Sequence, residues 1–291
     1  MSEESRIPCR EDIEVPIEYL VSFIREDAPF GDITSSAVIP AGTRCRAVIV
    51  TRDQGIISGI SEASRLFEFF GSRATGHRKD GDPVQKGEVV ISIEGDARSI
   101  LLVERTALNI IGRMSGISTK TRRYMDLLAS SGSRCRVAGT RKTSPGVRLL
   151  DKKAIRLGGG DPHRYTLSDG ILIKDNHLVL TTLDNAIAAA RARSSYRKIE
   201  VEVEDTDSAI HAARMGADII LLDNMDPATV SCTIEALISG GLRGDRVIEV
   251  SGSIHEEDIL HYAIPGVDII SIGALTHSVR NFDVSLDIRK P

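Results

Sequence analysis

The chain has 291 residues, of which 41% are hydrophobic and 27% are charged, and its formal net charge is −4. This length allows one large domain or two ordinary ones, and the composition is typical of a soluble globular protein. The acidic balance gives no reason to expect binding to nucleic acid. Because no apolar run is long enough to span a membrane and the N-terminus lacks a secretory pattern, we expect a cytoplasmic protein. The four cysteines are scattered without a CxxC pair, which argues against a structural zinc site and a disulfide framework.

Residues 1 to about 105 predict a helix and short strands without regular alternation. Apolar residues recur at helical spacing in Ile17–Glu26, and Gly31–Thr34 supplies turn and capping residues. Strands are expected in the runs CRAVIV and QGIISGI. Alternating apolar and polar residues over Asp80–Ala97 predict a hairpin of half-buried strands, which we interpret as scaffold.

From Leu101 the pattern predicts a helix, interrupted by Gly112 and Gly116, and then strands that alternate with helices. Six short apolar runs lead into polar residues: CRVAG, GILI, IEVEVED, DIILL, VIEV and DIISI. Helical patterns such as Leu183–Arg193 lie between them, which is typical of a parallel sheet. No GxGxxG follows the first strand, so the regular spacing favours an α/β barrel, whose active site lies at the carboxyl ends of the strands.

The segment Arg134–Lys174 carries ten Lys and Arg against three Asp, in a chain that is acidic as a whole. Arg141, Lys142 and Lys174 come directly after apolar runs, where side chains face the mouth of a barrel. Because converging cations need anions to offset their repulsion, we predict a ligand with carboxylates, phosphates or both. A solvated basic face is the alternative interpretation.

Acidic residues alternate with apolar residues in the run IEVEVE, so Glu200, Glu202 and Glu204 share one face of a strand. We expect this face inside the barrel, with Asp223 at the next strand end; the solvent face of an edge strand is the alternative. Glu202 and Asp223 form a reasonable site for Mg²⁺, bound directly or through water. They could equally hold ribose hydroxyls.

Small residues end the last two strands, in Ser251–Ser253 and Ile272–Ala274. Backbone N–H groups can face a ligand there, so we predict a phosphate site. The glycine run Gly158–Gly160 predicts a loop, and beside it we interpret His163 as a ligand contact and the other six histidines as structural. No Ser/His/Asp or Cys/His arrangement stands out, so covalent catalysis is not indicated.

The segment TRKTSPGVRLLDKKAIRLGGGDPHRYTLSDGILIKDNH closely resembles the signature of the quinolinate phosphoribosyltransferase family. The resemblance covers nearly the whole chain, through EDAPFGDIT, VERTALNIIGRMSGIST, EVEVE, DIILLDNM, EVSGS and DIISIGALTHS in the family's order. Gly139 and Ser253 depart from it, since many members carry Asp at the first position and Gly or Asn is usual at the second. The resemblance implies a type II phosphoribosyltransferase-like fold. We therefore expect an N-terminal α/β sandwich (residues 1–105), an open α/β barrel (106–275) and a C-terminal segment (276–291) that returns to the N-terminal domain.

The resemblance implies transfer of the phosphoribosyl group of phosphoribosyl pyrophosphate to quinolinate, with loss of one carboxylate as CO₂. The products would be nicotinate mononucleotide and pyrophosphate, in de novo NAD synthesis. It further implies Mg²⁺ as cofactor and a homodimer, in some members assembled to a hexamer. The N-terminal part of one subunit would close the barrel of its partner.

Specific residues follow from the resemblance, with Lys142, Lys174, Glu202 and Asp223 as the catalytic set. The residues that it implies for substrate binding are Arg105, Thr140, Arg141, Lys142, His163, Arg164, Lys174, Glu202, Asp223, Ser251, Gly252, Ser253, Ile272, Gly273 and Ala274. The arginines and the histidine of this set would bind the quinolinate carboxylates, with Arg105 supplied by the partner subunit. The lysines would face pyrophosphate and ribose oxygens, the acids would hold ribose hydroxyls and Mg²⁺, and the last two strand ends would surround the 5′-phosphate. Which lysine contacts pyrophosphate stays open.

Three other functions stay open at this point. A paralogue associated with molybdate-transport operons shares TRKT, GGG and HR but tends to lose the lysine of ILIKDNH, which is present here as Lys174. Nicotinate phosphoribosyltransferase acts on a monocarboxylate, for which three arginines and a histidine are excessive. A non-catalytic anion-binding module would bind phosphate without turnover.

Overall fold

The computed structural model describes residues 14–289 and divides into two compact units, each discontinuous in sequence. The first unit consists of the chain up to Thr119, Leu149–Gly158 and the chain from Arg280. The second unit consists of Lys120–Arg148 and Gly159–Val279. These units follow the packing of the chain, and the domain boundaries expected at residues 105 and 275 stay predictions.

Strands and helices are numbered along the chain. The strands are β1 (Arg44–Thr51), β2 (Gly55–Ile56), β3 (Arg73–Gly76), β4 (Pro83–Val84), β5 (Val89–Asp96), β6 (Arg136–Ala138), β7 (Ile171–Ile173), β8 (Ile199–Val203), β9 (Ile219–Asp223), β10 (Val247–Ser251), β11 (Ile269–Ser271) and β12 (Val284–Arg289). The α-helices are α1 (Ile17–Asp27), α2 (Ile33–Val38), α3 (Ile60–Phe69), α4 (Ala97–Ser130), α5 (Arg148–Leu157), α6 (Asp175–Leu178), α7 (Leu183–Arg193), α8 (Thr206–Arg214), α9 (Pro227–Ser239) and α10 (Ala274–His277). A 3-10 helix covers Ile259–Tyr262.

The first unit is built on an antiparallel sheet with the strand order β12-β1-β5-β3. Strand β1 lies between β5 and the C-terminal strand β12, with Arg46 opposite Arg289 and Thr51 opposite Val284. Helix α3 packs on β3 and β5, and α1 packs on α3. Helices on one sheet confirm the expected N-terminal α/β sandwich.

Local sequence explains the first two helices of this unit. The predicted first helix is α1, which buries the apolar side chains of Leu20, Val21 and Ile24. The predicted turn and cap are also confirmed, because Asp32 Oδ1 accepts hydrogen bonds from the N–H groups of Thr34 and Ser35 at 2.9 and 3.0 Å. These two donors would otherwise be unsatisfied at the start of α2.

The predicted hairpin over Asp80–Ala97 is wrong. Strand β4 pairs with β2, whereas β5 pairs with β1 and β3. Alternation of apolar and polar residues indicates a half-buried strand but does not identify its neighbour. The two runs are therefore strands of different sheets.

Helix α4 continues through Gly112 and Gly116, where the sequence indicated interruptions. The reason is a close approach of the C-terminal chain within the first unit. The N–H of Phe282 donates to the carbonyl of Gly112 at 2.8 Å, and a Cβ at Gly116 would overlap the carbonyl oxygen of Arg280. Glycine at these two positions therefore permits packing and does not break the helix.

The second unit contains a six-stranded parallel sheet with the order β6-β11-β10-β9-β8-β7. All six strands and the α/β barrel predicted from the sequence are confirmed. Strands β6 and β7 are the two edges of the sheet and do not pair with each other, so the barrel is open. Val137, Val201, Ile220, Ile248 and Ile270 are fully buried in the sheet, as expected for strands covered on both faces. Within residues 14–289, no helix has the length and apolarity needed to cross a membrane.

Candidate active site

A cavity of about 490 Å³ opens in the second unit at the carboxyl ends of its strands. The predicted residues that line this cavity are Thr140, Arg141, Lys142, His163, Arg164, Lys174, Glu202, Asp223, Ser251, Gly252, Ser253, Gly273 and Ala274. Two predicted residues are not among them. Arg105 is exposed on α4 of the first unit, and Ile272 is buried with its N–H bonded to the carbonyl of Ala138.

Four cations line the cavity: Arg141, Lys142, Arg164 and Lys174. Partial burial, and then the charges of Arg164 and Arg148, lower the pKa of the Arg141 guanidinium below its usual value. Nε of Arg141 is buried and has no hydrogen-bond partner within the described residues. An anion in the cavity would offset this repulsion and accept from that donor.

Only some of the basic residues in the segment Arg134–Lys174 line the cavity. Lys152 and Lys153 lie on α5 in the first unit, where Lys152 is fully buried and Lys153 forms an ion pair with Glu62 at 2.7 Å. These two lysines therefore serve packing and charge pairing within the first unit. Charge density alone could not separate them from the cavity residues, because a helix and a strand end alternate within the segment.

Lys174 and Glu202 form an ion pair at the ends of the neighbouring strands β7 and β8. The lysine side chain is 42% exposed, so solvent screens the pair and its net contribution to stability is small. Both groups stay available to a ligand. Because β8 lies between β7 and β9, the alternative interpretation of β8 as an edge strand is wrong.

Asp223 ends β9 and accepts two hydrogen bonds, one from Oγ of Ser251 and one from Nδ2 of Asn224 at 2.7 Å. Asn224 and Ser253 have positive φ angles of 54° and 39°, and Gly252 has a φ of 107°. A Cβ at Gly252 would lie 2.7 Å from the backbone nitrogen of Asn224. Glycine therefore lets the ends of β9 and β10 approach each other and orient the carboxylate.

The carboxylates of Glu202 and Asp223 are the residues of the cavity that could hold a magnesium ion. Both line the same cavity from adjacent strand ends, and their donor atoms are the oxygens that Mg²⁺ prefers. A carboxylate has about four lone-pair sites, so the hydrogen bonds described above leave acceptor capacity on each group. Few protein ligands would leave positions for substrate oxygens and water.

A buried His–Glu cluster consists of His163, Glu200 and Glu249, of which His163 and Glu249 line the cavity. Nε2 of His163 is 3.4 Å from Oε2 of Glu249 and 3.7 Å from Oε2 of Glu200. Burial, and then the charge of Glu249, raise the pKa of the Glu200 carboxyl to about 7, opposed by His163, Arg164 and Lys174. The sequence predicted His163 and the face of Glu200 but missed Glu249. A charged residue inside the apolar run VIEV was the available signal.

Two more histidines, His255 and His277, also line the cavity. The sequence shows no partner for either histidine, and on that ground both are interpreted as structural. Oγ1 of Thr276 donates to the carbonyl of Lys142 at 2.8 Å, which ties the loop after β6 to α10. This contact brings the last strand end next to the cationic loop.

Comparisons with known proteins find similar sequences and structures over most of the chain. The family models described as the N-terminal and C-terminal domains of quinolinate phosphoribosyl transferase match residues 32–115 and 117–287. A probable nicotinate-nucleotide pyrophosphorylase (carboxylating) of Methanothermobacter thermautotrophicus is 43% identical over 94% of this chain and 99% of its own length. The human nicotinate-nucleotide pyrophosphorylase (carboxylating) is 31% identical over 92% of this chain and 89% of its own length. The crystal structure of NadC from Streptococcus pyogenes superposes with a TM-score of 0.87 at 34% identity, covering 97% of this chain and 100% of that one.

Proposed function

The chain belongs to the quinolinate phosphoribosyltransferase family, and on this premise we propose that it transfers a phosphoribosyl group to quinolinate. Phosphoribosyl pyrophosphate is the donor, and nicotinate mononucleotide, pyrophosphate and CO₂ are the products, in the synthesis of NAD. The cavity is the observation that carries this proposal, because four lysine and arginine side chains and three carboxylates surround a volume suited to small ligands.

Quinolinate is held by the arginines of the cavity together with His163. Arg141 and Arg164 present planar donors that match carboxylates in pairs, and the buried Nε of Arg141 supports this role. Two adjacent carboxylates on one ring offset the mutual repulsion of these cations, which a single carboxylate would do less well.

The donor, phosphoribosyl pyrophosphate, is held by the two lysines of the cavity and by the ends of β10 and β11. Lys142 and Lys174 face the oxygens of pyrophosphate and ribose, and Ser251–Ser253 with Gly273–Ala274 surround the 5′-phosphate. Glu202 and Asp223 hold the ribose hydroxyls and would also hold Mg²⁺, which would supply positive charge that stabilises the leaving pyrophosphate.

The chemistry requires positioning and charge rather than a protein nucleophile. As the bond from C1 of the ribose to pyrophosphate breaks, positive charge develops on the sugar, where Glu202 and Asp223 stabilise it. Negative charge develops on the leaving group, where Lys142 and Lys174 stabilise it. The ring nitrogen of quinolinate then bonds to C1. The new pyridinium nitrogen stabilises the electron pair that stays at C2 when CO₂ leaves, and a proton completes the product.

The active protein is a cytoplasmic homodimer in this proposal, and further assembly to a hexamer stays open. Arg105 of the partner subunit reaches into each cavity and adds a further cation for quinolinate. The exposure of Arg105 on α4 supports this assignment, since an exposed arginine is available to a neighbouring subunit.

Purified protein with Mg²⁺, quinolinate and phosphoribosyl pyrophosphate is expected to form nicotinate mononucleotide with one CO₂ and one pyrophosphate per turnover. Chromatography of the nucleotide and a coupled pyrophosphate assay measure both products. Removal of the metal with EDTA should abolish turnover, and excess Mg²⁺ should restore it. Turnover of nicotinate but not of quinolinate would contradict the proposal and favour a nicotinate phosphoribosyltransferase. Phosphate binding without turnover would favour a non-catalytic module.

A further inference from the structure

The buried His–Glu cluster contains two carboxylates that the packing of the barrel does not require. Glu200 and Glu249 are only 5% and 1% exposed, and they lie within β8 and β10 among Ile and Val. Removing a carboxylate from water costs several kcal/mol unless it is paired and hydrogen-bonded. Isosteric apolar residues would avoid this cost, so the carboxylates have a role beyond packing.

Hydrogen bonds satisfy these carboxylates only in part. Oε1 of Glu249 accepts from Oγ of Ser271 on the neighbouring strand β11. Oε2 of Glu249 and Oε1 of Glu200 are buried and have no hydrogen-bond partner within the described residues. Ser271 therefore fixes one side of Glu249, and the other side faces His163.

His163 is held from its backbone as well as from its ring. Its φ angle is 56°, a conformation that a non-glycine residue adopts only at some cost. Its N–H donates to Oδ1 of Asp161 at 2.7 Å, which closes the turn before it. The ring nitrogen Nε2 then lies within ion-pair distance of both carboxylates. These distances, 3.4 Å to Glu249 and 3.7 Å to Glu200, are those of ion pairs and not of short hydrogen bonds.

We propose that Glu249, supported by Ser271 and Glu200, is a positioning residue that holds the imidazole of His163 in the orientation that binds a carboxylate of quinolinate. This inference rests on the proposed function, because it assigns His163 to the acceptor. Glu249 lines the cavity but is only 1% exposed, so the inference gives it no direct role in binding the substrate. It acts through His163 and affects binding of the acceptor more than binding of the donor.

The test is a kinetic comparison of full-length variants, with quinolinate and phosphoribosyl pyrophosphate varied separately. Glu249→Gln should raise the KM for quinolinate about tenfold, because a misplaced imidazole would lose about one charge-assisted hydrogen bond to the substrate carboxylate. The KM for phosphoribosyl pyrophosphate should stay within about twofold of the wild-type value. Ser271→Ala keeps the Glu249 carboxylate but removes the hydrogen bond that fixes it. This variant should raise the quinolinate KM by a smaller factor. Glu235→Gln, on the exposed face of α9, is the matched control.

A double-mutant cycle separates positioning from a general structural role. In a His163→Gln background, Glu249→Gln should add less than about twofold to the quinolinate KM, since its target is already gone. An undiminished effect in that background overturns the inference, as does an equal rise in both KM values. A stoichiometric metal ion that is lost in Glu249→Gln, measured by mass spectrometry, also overturns it, because a histidine and two carboxylates would then be metal ligands.

Two further outcomes separate this inference from the proposed function. If the wild-type protein turns over quinolinate and Glu249→Gln behaves like the wild type, only the inference fails. If the wild-type protein does not turn over quinolinate, the proposed function fails and the inference fails with it. Thermal unfolding establishes that each variant is folded, and Ser271→Ala carries the test if Glu249→Gln is not.

Discussion

Asp223 is oriented by hydrogen-bond donors of the protein itself, which come from two strand ends. Ser251 and the amide of Asn224 each donate to one of its oxygens, and both leave lone pairs for a ribose hydroxyl or a metal ion. Asn224 lies at a φ of 54°, which asparagine tolerates better than most residues. Asn224 therefore does two things: its backbone adopts the positive φ angle at the end of β9, and its side chain donates a hydrogen bond to Asp223.

Asn224→Gly tests this orienting role, because glycine adopts the same φ angle but lacks the amide donor. We expect the catalytic efficiency with phosphoribosyl pyrophosphate to fall about tenfold, since residues that orient a ligand-binding carboxylate typically contribute that much. Steady-state kinetics measure this change. Asn185→Ala, at an exposed position of α7, should behave as the wild type. Unchanged kinetics in Asn224→Gly would contradict the orienting role.

Residues that follow an apolar run could be predicted from the sequence, because the carboxyl ends of parallel strands meet at one edge of the sheet. Arg141, Lys174 and Asp223 were found in this way. Glu249 and Asn224 were not, because their importance depends on which strands are neighbours. The order of strands is a tertiary property, and hydrophobic periodicity within one segment carries no information about it.

In helix α4, contacts with a segment far along the chain determine the effect of the two glycines. The sequence indicates a helix interrupted at Gly112 and Gly116, but the helix is continuous because the chain around Arg280 and Phe282 packs against both glycines. The hairpin expected over Asp80–Ala97 failed for a related reason. The local sequence predicts that each run is a strand, whereas the strand with which it pairs lies far away in the chain.

Gly116→Ala is expected to destabilise the first unit by more than about 2 kcal/mol, since the new methyl group would overlap the Arg280 carbonyl and force the backbone to move. Chemical denaturation with urea measures the free energy of unfolding. Gly170→Ala is the matched control, because nothing lies within 4 Å of the added methyl group. That substitution should stay within about 1 kcal/mol of the wild type or stabilise it. Equal stability of both variants would contradict close packing at Gly116.

At the scale of the whole molecule, six strand runs separated by helices were enough to predict the barrel. The sandwich was expected only from the family resemblance, because short strands without regular spacing do not specify a sheet order. Neither source predicted that α5, inside the basic segment, packs with the first unit. Lys152 is buried and Lys153 is paired with Glu62 in this helix, and the basic composition of the segment does not reveal either fact.

The proposed homodimer, in which each active site takes Arg105 from the partner subunit, can be tested by mixing two variants. Arg105→Ala and Lys142→Ala should each abolish most activity, because both remove a cation that binds an anionic substrate. When the two variants are unfolded, mixed and refolded together, random pairing makes about half of the dimers mixed, and each mixed dimer regains one complete site. Activity should therefore return to about a quarter of the wild-type value. Mixtures of each variant with itself are the controls. If Arg105 instead serves the cavity of its own chain, each mixed dimer contains one site lacking Arg105 and one lacking Lys142, and no activity returns.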